Sequence, residues 1–147
     1  MNRRGFLGVL TGGAALVPAA KAATEGQHRV ALQVDTKDAE TMTVALHNAT
    51  NVLDHYAAAG GPAAIELVAF GPGLHMFRVD TSPVKDPLAA FHAKYPDVIL
   101  SACENTKRGM EKAEGKTIEL LPGVRTVPAG VVRLMELQEQ GRSYIRV

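Results

Sequence analysis

The sequence predicts an α/β protein with a mostly parallel five-stranded sheet that helices cover on both faces. Short runs rich in β-branched and aliphatic residues alternate along the chain with amphipathic or capped segments. Such alternation is typical of βαβ units, in which a helix crosses over the sheet between two parallel strands. The length of 147 residues and the hydrophobic fraction of 46% fit one globular domain.

The first βαβ unit is predicted in the first half of the chain. Residues 29–34 have the length and the β-branched content of a buried strand. Residues 35–38 offer capping side chains, and apolar residues then recur every three or four positions over 42–56, which predicts a long amphipathic helix. Residues 64–70 form the second strand, and the Gly-Pro-Gly cluster at 71–73 turns the chain into a loop.

The rest of the chain repeats this alternation with shorter elements. In chain order they are a helix over 86–95, a strand over 98–103, a helix ending at Gly115, a strand over 124–127, a helix over 131–140 and a strand over 143–147. We expect Asn105 or Thr106 to cap the helix after the third strand, because short polar side chains favour that position. No linker interrupts the pattern, so one domain is predicted over residues 23–147.

The first 22 residues have the features of a bacterial twin-arginine export signal. Arg3 and Arg4 precede a modest apolar run, and Ala20-Lys21-Ala22 supplies a small-x-small cleavage pattern. The apolar run of about 15 residues is shorter than the ~20 that a membrane-crossing helix needs. The sequence therefore predicts cleavage near Ala22, a periplasmic location and no stable membrane insertion after the signal is removed.

Composition and residue spacing argue against two classes of function. The formal net charge is +1, and removal of Arg3, Arg4 and Lys21 leaves the mature domain slightly acidic, whereas a nucleic-acid binder would show a basic face. His47 and His55 lie two turns apart on the predicted first helix, and no carboxylate completes a ligand set with them. We therefore predict no nucleic-acid partner, no metal site and no cofactor.

Cys103 is the one cysteine and the leading candidate for a reactive group. Sites in open α/β sheets form at the carboxyl ends of the strands, and Cys103 lies between the third strand and the next helix. The helix dipole, Lys107 and Arg108 favour its thiolate, whereas Glu104 opposes it. The residues alone leave open whether Cys103 reacts or is a buried small hydrophobic side chain.

The loop after the second strand is a second candidate. Residues 71–78 combine glycines and a proline with His75 and Arg78, so backbone amides, an imidazole and a guanidinium are available to a small anion. The segment lacks the spacing of a phosphate-binding loop. The alternative interpretation is a tight turn formed for conformational reasons.

The second half of the chain contains four distinctive segments. They are Ser101-Ala102-Cys103-Glu104-Asn105-Thr106, Leu121-Pro122-Gly123-Val124, Pro128-Ala129-Gly130-Val131, and Leu137-Gln138 with Gly141-Arg142-Ser143-Tyr144-Ile145. Together they resemble the DsrE/DsrF-like family, and the resemblance runs from Val30 to the C-terminus. It implies a three-layer α/β/α fold, and it places Cys103 at the family's cysteine position. This sequence departs from the family in having Glu104 where relatives tend to have glycine.

The resemblance implies a function for the thiol. Members of the family that act in sulfur relay carry sulfur as a persulfide on a cysteine, commonly form oligomers and work with protein partners. We therefore expect a periplasmic sulfur carrier with Cys103 as its reactive group, a homo-oligomer, and a protein that donates or accepts sulfur. Asn105, Thr106 and the amides of the helix start are expected to stabilise the charged sulfur, and His75 and Arg78 to contact a ligand.

The sequence is also compatible with two other functions. One is a non-catalytic binding or assembly module, in which the loop 71–78 and the loop at Cys103 line a pocket for a small anion. The other is a redox sensor whose lone thiol pairs between subunits or oxidises to a sulfenic acid.

Overall fold

The computed structural model describes residues 28–147, and the predicted export signal lies outside these described residues. In the described part, five strands form one sheet in the order β4-β3-β2-β1-β5, and every neighbouring pair is parallel. The strands are β1 His28–Val34, β2 Ala63–Ala69, β3 Ile99–Cys103, β4 Val124–Val127 and β5 Ser143–Arg146. The helices are α1 Ala39–Ala58, α2 Lys85–Lys94, α3 Glu104–Glu114 and α4 Gly130–Glu139.

Helices pack on both faces of the sheet. On one face, side chains of β1, β2 and β3 form the main core with α1, α2 and the segment 71–77. On the opposite face, Leu134 and Leu137 of α4 pack against Ala31 and Val68. The predicted α/β class is confirmed, and the arrangement is a three-layer α/β/α fold with an all-parallel sheet.

Helix α1 shows how the sequence specifies the first crossover. The Asp38 carboxylate accepts a hydrogen bond from the Thr41 amide at 2.7 Å, which satisfies a free donor of the first turn. This bond lowers the pKa of Asp38. Met42, Leu46 and Ala49 recur at helical spacing and are buried against the sheet, as their periodicity predicts.

The segment after β2 differs from its prediction as a simple turn. Residues Gly71–Phe77 form a 3-10 helix, which begins with Gly71 at a positive φ of 52°. At Gly73 a Cβ atom would lie 2.1 Å from the Val34 carbonyl oxygen. This close approach seals the carboxyl end of β1 against the 3-10 helix, so glycine is required there by packing rather than by a turn.

Among residues 28–147, no helix combines the length and the apolar character that crossing a bilayer would require.

Candidate functional site

The predicted edge of the sheet carries an open cleft. The loops that follow β1, β2 and β3 meet there around a volume of about 780 Å³. Among the residues that line it are Asp35, Lys37, Gly71, His75, Thr106 and Arg146. Loops that are far apart in sequence therefore come together at one edge, as parallel strands require. We call this space the edge cleft.

Cys103 lies at the start of α3 and is itself the N-cap residue. Its Sγ accepts a hydrogen bond from the Thr106 amide at 3.4 Å, and α3 begins at Glu104. The prediction that Asn105 or Thr106 caps this helix is therefore wrong, because the sulfur takes the place that a side-chain oxygen usually fills. The residue is 5% exposed, so the thiol is almost completely enclosed.

The starts of two helices converge on this sulfur. Besides α3, the start of α4 lies near the thiol, and the amide of Gly130, the first residue of α4, helps to lower the pKa of Cys103. Burial by itself opposes ionisation of the thiol. Hydrogen bonds from the hydroxyl and amide of Thr106 and from the amides of Gly130 and Asn105 outweigh it, so the pKa of the Cys103 thiol falls below its ordinary value.

Thr106 and Asn105 have different surroundings. The Thr106 hydroxyl accepts a hydrogen bond from the Gly71 amide at 3.0 Å and also helps to lower the pKa of Cys103, so Thr106 links the thiol to the edge cleft. The Asn105 side chain is turned toward solvent and accepts from Arg108. Of the two predicted partners of the sulfur, Thr106 contributes its side chain and its amide, whereas Asn105 contributes its amide alone.

His75 lines the edge cleft. Its Nδ1 lies 2.7 Å from the Thr81 hydroxyl, which fixes the plane of the ring. Partial burial, together with the positive charge of Arg78, lowers the pKa of this imidazole. His75 therefore presents a neutral ring to the cleft at neutral pH, and its predicted contact with a ligand stays a prediction.

Arg78 lies outside the lining of the edge cleft. Its side chain is fully buried, and its guanidinium donates paired hydrogen bonds of 2.6–2.9 Å to the carboxylates of Asp80 and Glu114. These bonds raise the pKa of Arg78 and hold the pKa of Glu114 at about 2. The structure thus shows Arg78 joining the end of the 3-10 helix to the end of α3, with its donors already used.

Sequence reasoning missed a charged cluster under α4. Glu66 in the middle of β2 is fully buried and accepts hydrogen bonds from Ser101, Arg125 and Arg133 at 2.7–2.9 Å. Burial disfavours the Glu66 carboxylate, but the bonds from Arg133, Ser101 and Arg125 overcome this and lower its pKa to about 2. One signal was available, because a glutamate inside an apolar strand needs buried partners.

A smaller cleft of about 330 Å³ lies between the end of β4 and the start of α4. Arg125, Arg133 and Glu136 line one part of it, and residues 127–129 line another. The same segment lies against the thiol, since Val127 is the register partner of Cys103 and Pro128 accepts from the Asn105 amide at 3.3 Å. We call this space the arginine cleft.

Within the described range, 28–147, no three side chains of the His, Cys, Asp or Glu type are placed to hold a metal ion together.

The fold and the surroundings of Cys103 define an α/β/α domain with an enclosed thiol at the carboxyl end of a parallel sheet. The chain is similar to a solved structure of a protein of unknown function, MTH1491 from Methanobacterium thermoautotrophicum. The two are 28% identical, with a TM-score of 0.69 over 82% of this chain and 99% of that protein. No protein-family model matches the chain, and no curated protein matches it.

Replacing Thr106 with valine is expected to raise the pKa of Cys103. Valine keeps the shape of the side chain but cannot donate to the thiolate or accept from the Gly71 amide. The pKa is measured from the pH dependence of alkylation by iodoacetamide. Thr106→Ser keeps the hydroxyl and serves as the control, so it should titrate like the wild type. Identical titrations of all three proteins would show that the backbone amides alone set this pKa.

Proposed function

We propose that this protein is an exported sulfur-handling protein that carries sulfane sulfur as a persulfide on Cys103. The observation that carries the proposal is the convergence of the α3 and α4 starts on one enclosed sulfur. Backbone amides and the Thr106 hydroxyl stabilise negative charge there. The resemblance to the DsrE/DsrF-like family supports the same assignment, because it places Cys103 at the cysteine that carries sulfur in its sulfur-relay members.

The chemistry is a sulfur exchange without net oxidation. The Cys103 thiolate attacks the terminal sulfur of a donor persulfide, and the Sγ–S bond forms as the donor's S–S bond breaks. The donor leaves as a thiolate, and the new terminal sulfur carries the negative charge. Delivery to an acceptor thiolate reverses the step.

Burial of Cys103 supports a carrier whose cargo is protected between donor and acceptor. An enclosed persulfide is shielded from oxidants and from unrelated thiols. Outside this site, α4 exposes three apolar side chains, since Val131, Val132 and Met135 are 58%, 49% and 56% exposed. Contiguous exposed apolar side chains are typical of interaction surfaces. They support our further proposal that the protein forms a homo-oligomer and meets a sulfur-donating or sulfur-accepting protein.

A second candidate function is binding of a small anion in the edge cleft without chemistry. It is favoured by the fact that Lys37, Arg146 and the His75 ring line that cleft. Asp35 already pairs with Arg146 at 2.9 Å, which leaves Lys37 as the main attraction for an anion. Because Cys103 does not line the edge cleft, Cys103→Ser should leave such binding intact.

The proposed function predicts that inorganic polysulfide adds whole sulfur atoms to the protein at Cys103. Intact mass is measured before and after treatment, with Cys103→Ala as the control and a reductant to reverse the adduct. We expect reducible additions on the wild type and none on the variant. Additions on neither protein would contradict the sulfur-carrier function and favour the anion-binding module. Dimers on non-reducing gels after mild oxidation, without additions, would favour a redox sensor.

The same measurement addresses the export that we propose. If the protein is produced in a bacterium and recovered from the periplasm, its mass should lack residues 1–22. Arg3 and Arg4 are the residues on which this export depends. Arg3→Lys with Arg4→Lys is the matched control, and it should leave the protein in the cytoplasm with an unchanged N-terminus. Periplasmic recovery of that double variant would contradict the twin-arginine route.

A further inference from the structure

We infer that the arginine cleft admits small anionic sulfane-sulfur donors, such as thiosulfate, to Cys103, with Arg125 as the residue that attracts them. The inference rests on the proposed function, which it deepens by naming a class of donor. It adds to a protein partner a second source of sulfur, delivered by a freely diffusing ion.

The arginine cleft lies next to the enclosed thiol. Its wall includes residues 127–129, and this short segment separates the cleft from the thiol. Val127 lies beside Cys103 in the sheet, and Pro128 accepts a hydrogen bond from the Asn105 amide at 3.3 Å, so the segment is held against the start of α3. Edge strand β4 is four residues long, with Ser101 opposite Arg125. The arginine cleft and the thiol therefore contact the same short segment, and a donor reaches the sulfur when this segment moves.

Among the charged side chains that line the arginine cleft, Arg125 is the cation available to an anion. Arg133 is held between Glu66 at 2.8 Å and Glu136 at 3.1 Å, so its charge is compensated in place. Arg125 shares one Glu66 oxygen with Arg133, and 47% of its side chain is exposed. Its Nη1 donates to no partner among residues 28–147, and this nitrogen is available to an anion.

Arg125 also lies close to Cys103. Arg125 and Val127 are two residues apart on β4 and face the same side of the sheet, and Cys103 lies beside Val127. Strand spacing of ~4.8 Å and a rise of ~3.3 Å per residue put the Cα atoms of Arg125 and Cys103 about 8 Å apart. The charge itself lies over β3, because Arg125 Nε donates to the Ser101 hydroxyl at 3.1 Å. Ser101 precedes Cys103 by two residues, or about 6.6 Å along the strand, which is within the screening length of about 8 Å at physiological ionic strength. The guanidinium therefore acts on an anion that approaches the sulfur.

The transfer from thiosulfate balances without a further reagent. The Cys103 thiolate attacks the outer sulfur of thiosulfate, the Sγ–S bond forms, and the S–S bond of the donor breaks. Sulfite leaves with the electron pair of that bond. The products are the Cys103 persulfide anion and a sulfite dianion, so the total charge is unchanged.

The test compares two alkylating reagents of nearly the same size, anionic iodoacetate and neutral iodoacetamide. Their rates at Cys103 are measured by intact mass at low ionic strength. A change in the pKa of the thiol affects both rates alike, so their ratio reports the attraction of the anion. We expect Arg125→Gln to lower the iodoacetate-to-iodoacetamide ratio about 2-fold and the rate of persulfide formation from thiosulfate about 4-fold, since a dianion is attracted twice as strongly and the factor is squared.

Two control variants test whether the change in the ratio comes from the charge at position 125. Arg125→Lys keeps the charge and should keep the ratio. Arg108→Gln removes an exposed cation of α3 that lies near Cys103 in sequence but outside the arginine cleft, and it should also keep the ratio. Equal losses in Arg108→Gln and Arg125→Gln would overturn the inference, because they would reflect overall charge rather than this cleft.

The results distinguish the proposed anion entrance from the proposed sulfur-carrier function. If wild-type Cys103 takes up sulfur but Arg125→Gln leaves the ratio unchanged, the anion entrance is wrong and the carrier stands. If Arg125→Gln lowers the ratio but no sulfur is added to the wild type, the carrier is wrong and the anion entrance stands. If neither alkylating reagent nor polysulfide modifies Cys103 in the folded protein, both proposals are wrong. If polysulfide alone modifies it, the anion entrance is wrong and the carrier stands.

Discussion

Replacing Gly73 with alanine is expected to lower the free energy of unfolding by about 3 kcal/mol. The added methyl group would lie 2.1 Å from the Val34 carbonyl oxygen and 2.9 Å from the Asp35 Cα atom, both of them backbone atoms. No rotation of a side chain relieves such a contact, so either β1 or the 3-10 helix must move. Urea unfolding followed by circular dichroism measures the change.

Gly109→Ala is the matched control for this prediction. Gly109 lies inside α3, and a Cβ atom there would meet nothing within 4 Å. Alanine loses less conformational freedom than glycine when a helix forms, so this variant should gain about 0.5 to 1 kcal/mol. If both variants lost stability equally, the cost would arise from replacing glycine in general and not from the contact with Val34.

Replacing Glu66 with glutamine is expected to lower the free energy of unfolding by about 2 to 3 kcal/mol at pH 7. The substitution keeps the volume but removes the negative charge that Arg125 and Arg133 surround. Those two guanidiniums would then remain close together without a buried counter-ion. The exposed Glu136, which contacts Arg133 at 3.1 Å, supplies the control, and Glu136→Gln should cost less than about 0.5 kcal/mol.

The effect of Glu66 should depend on pH in one direction. The folded state lowers the pKa of this carboxyl from 4.5 to about 2. Its contribution, on the order of 3 kcal/mol, is complete above the unfolded pKa and is lost as the pH falls through the folded pKa. The difference in stability between the wild type and Glu66→Gln should therefore narrow from pH 4.5 to pH 2. A constant difference over this range would contradict ionic stabilisation by Glu66.

Much of the fold could be predicted from the sequence because its signals are local. Strand β4 matches its predicted bounds, and the other strand and helix ends are mostly within one or two residues of theirs. Apolar periodicity, capping residues and turn residues act within a few positions of the chain. The 3-10 helix over Gly71–Phe77 escaped prediction because Gly73 is needed by the distant Val34 rather than by a turn.

The candidate site was predictable in place but not in detail. Its location follows from parallel topology, which brings the Cys103 and Gly71 loops to one edge. The functions of individual side chains depend on partners far away in sequence. Arg78 is bound by Glu114, 36 positions later, and Glu66 by Arg133, 67 positions later. No local pattern reports such pairs, and no local pattern gives the approach of Gly130 to the sulfur.

The strand order has a consequence for how the thiol becomes enclosed. Strand β4 lies at one edge of the sheet and β5 at the other, and α4 joins them across one face. A single passage of chain, residues 124–147, thus closes both edges and also delivers Gly130 to the sulfur. Local opening of this passage would free both edges and Cys103 together, as one cooperative unit in hydrogen exchange. The enclosure of Cys103 is therefore complete only after residues 124–147 have docked.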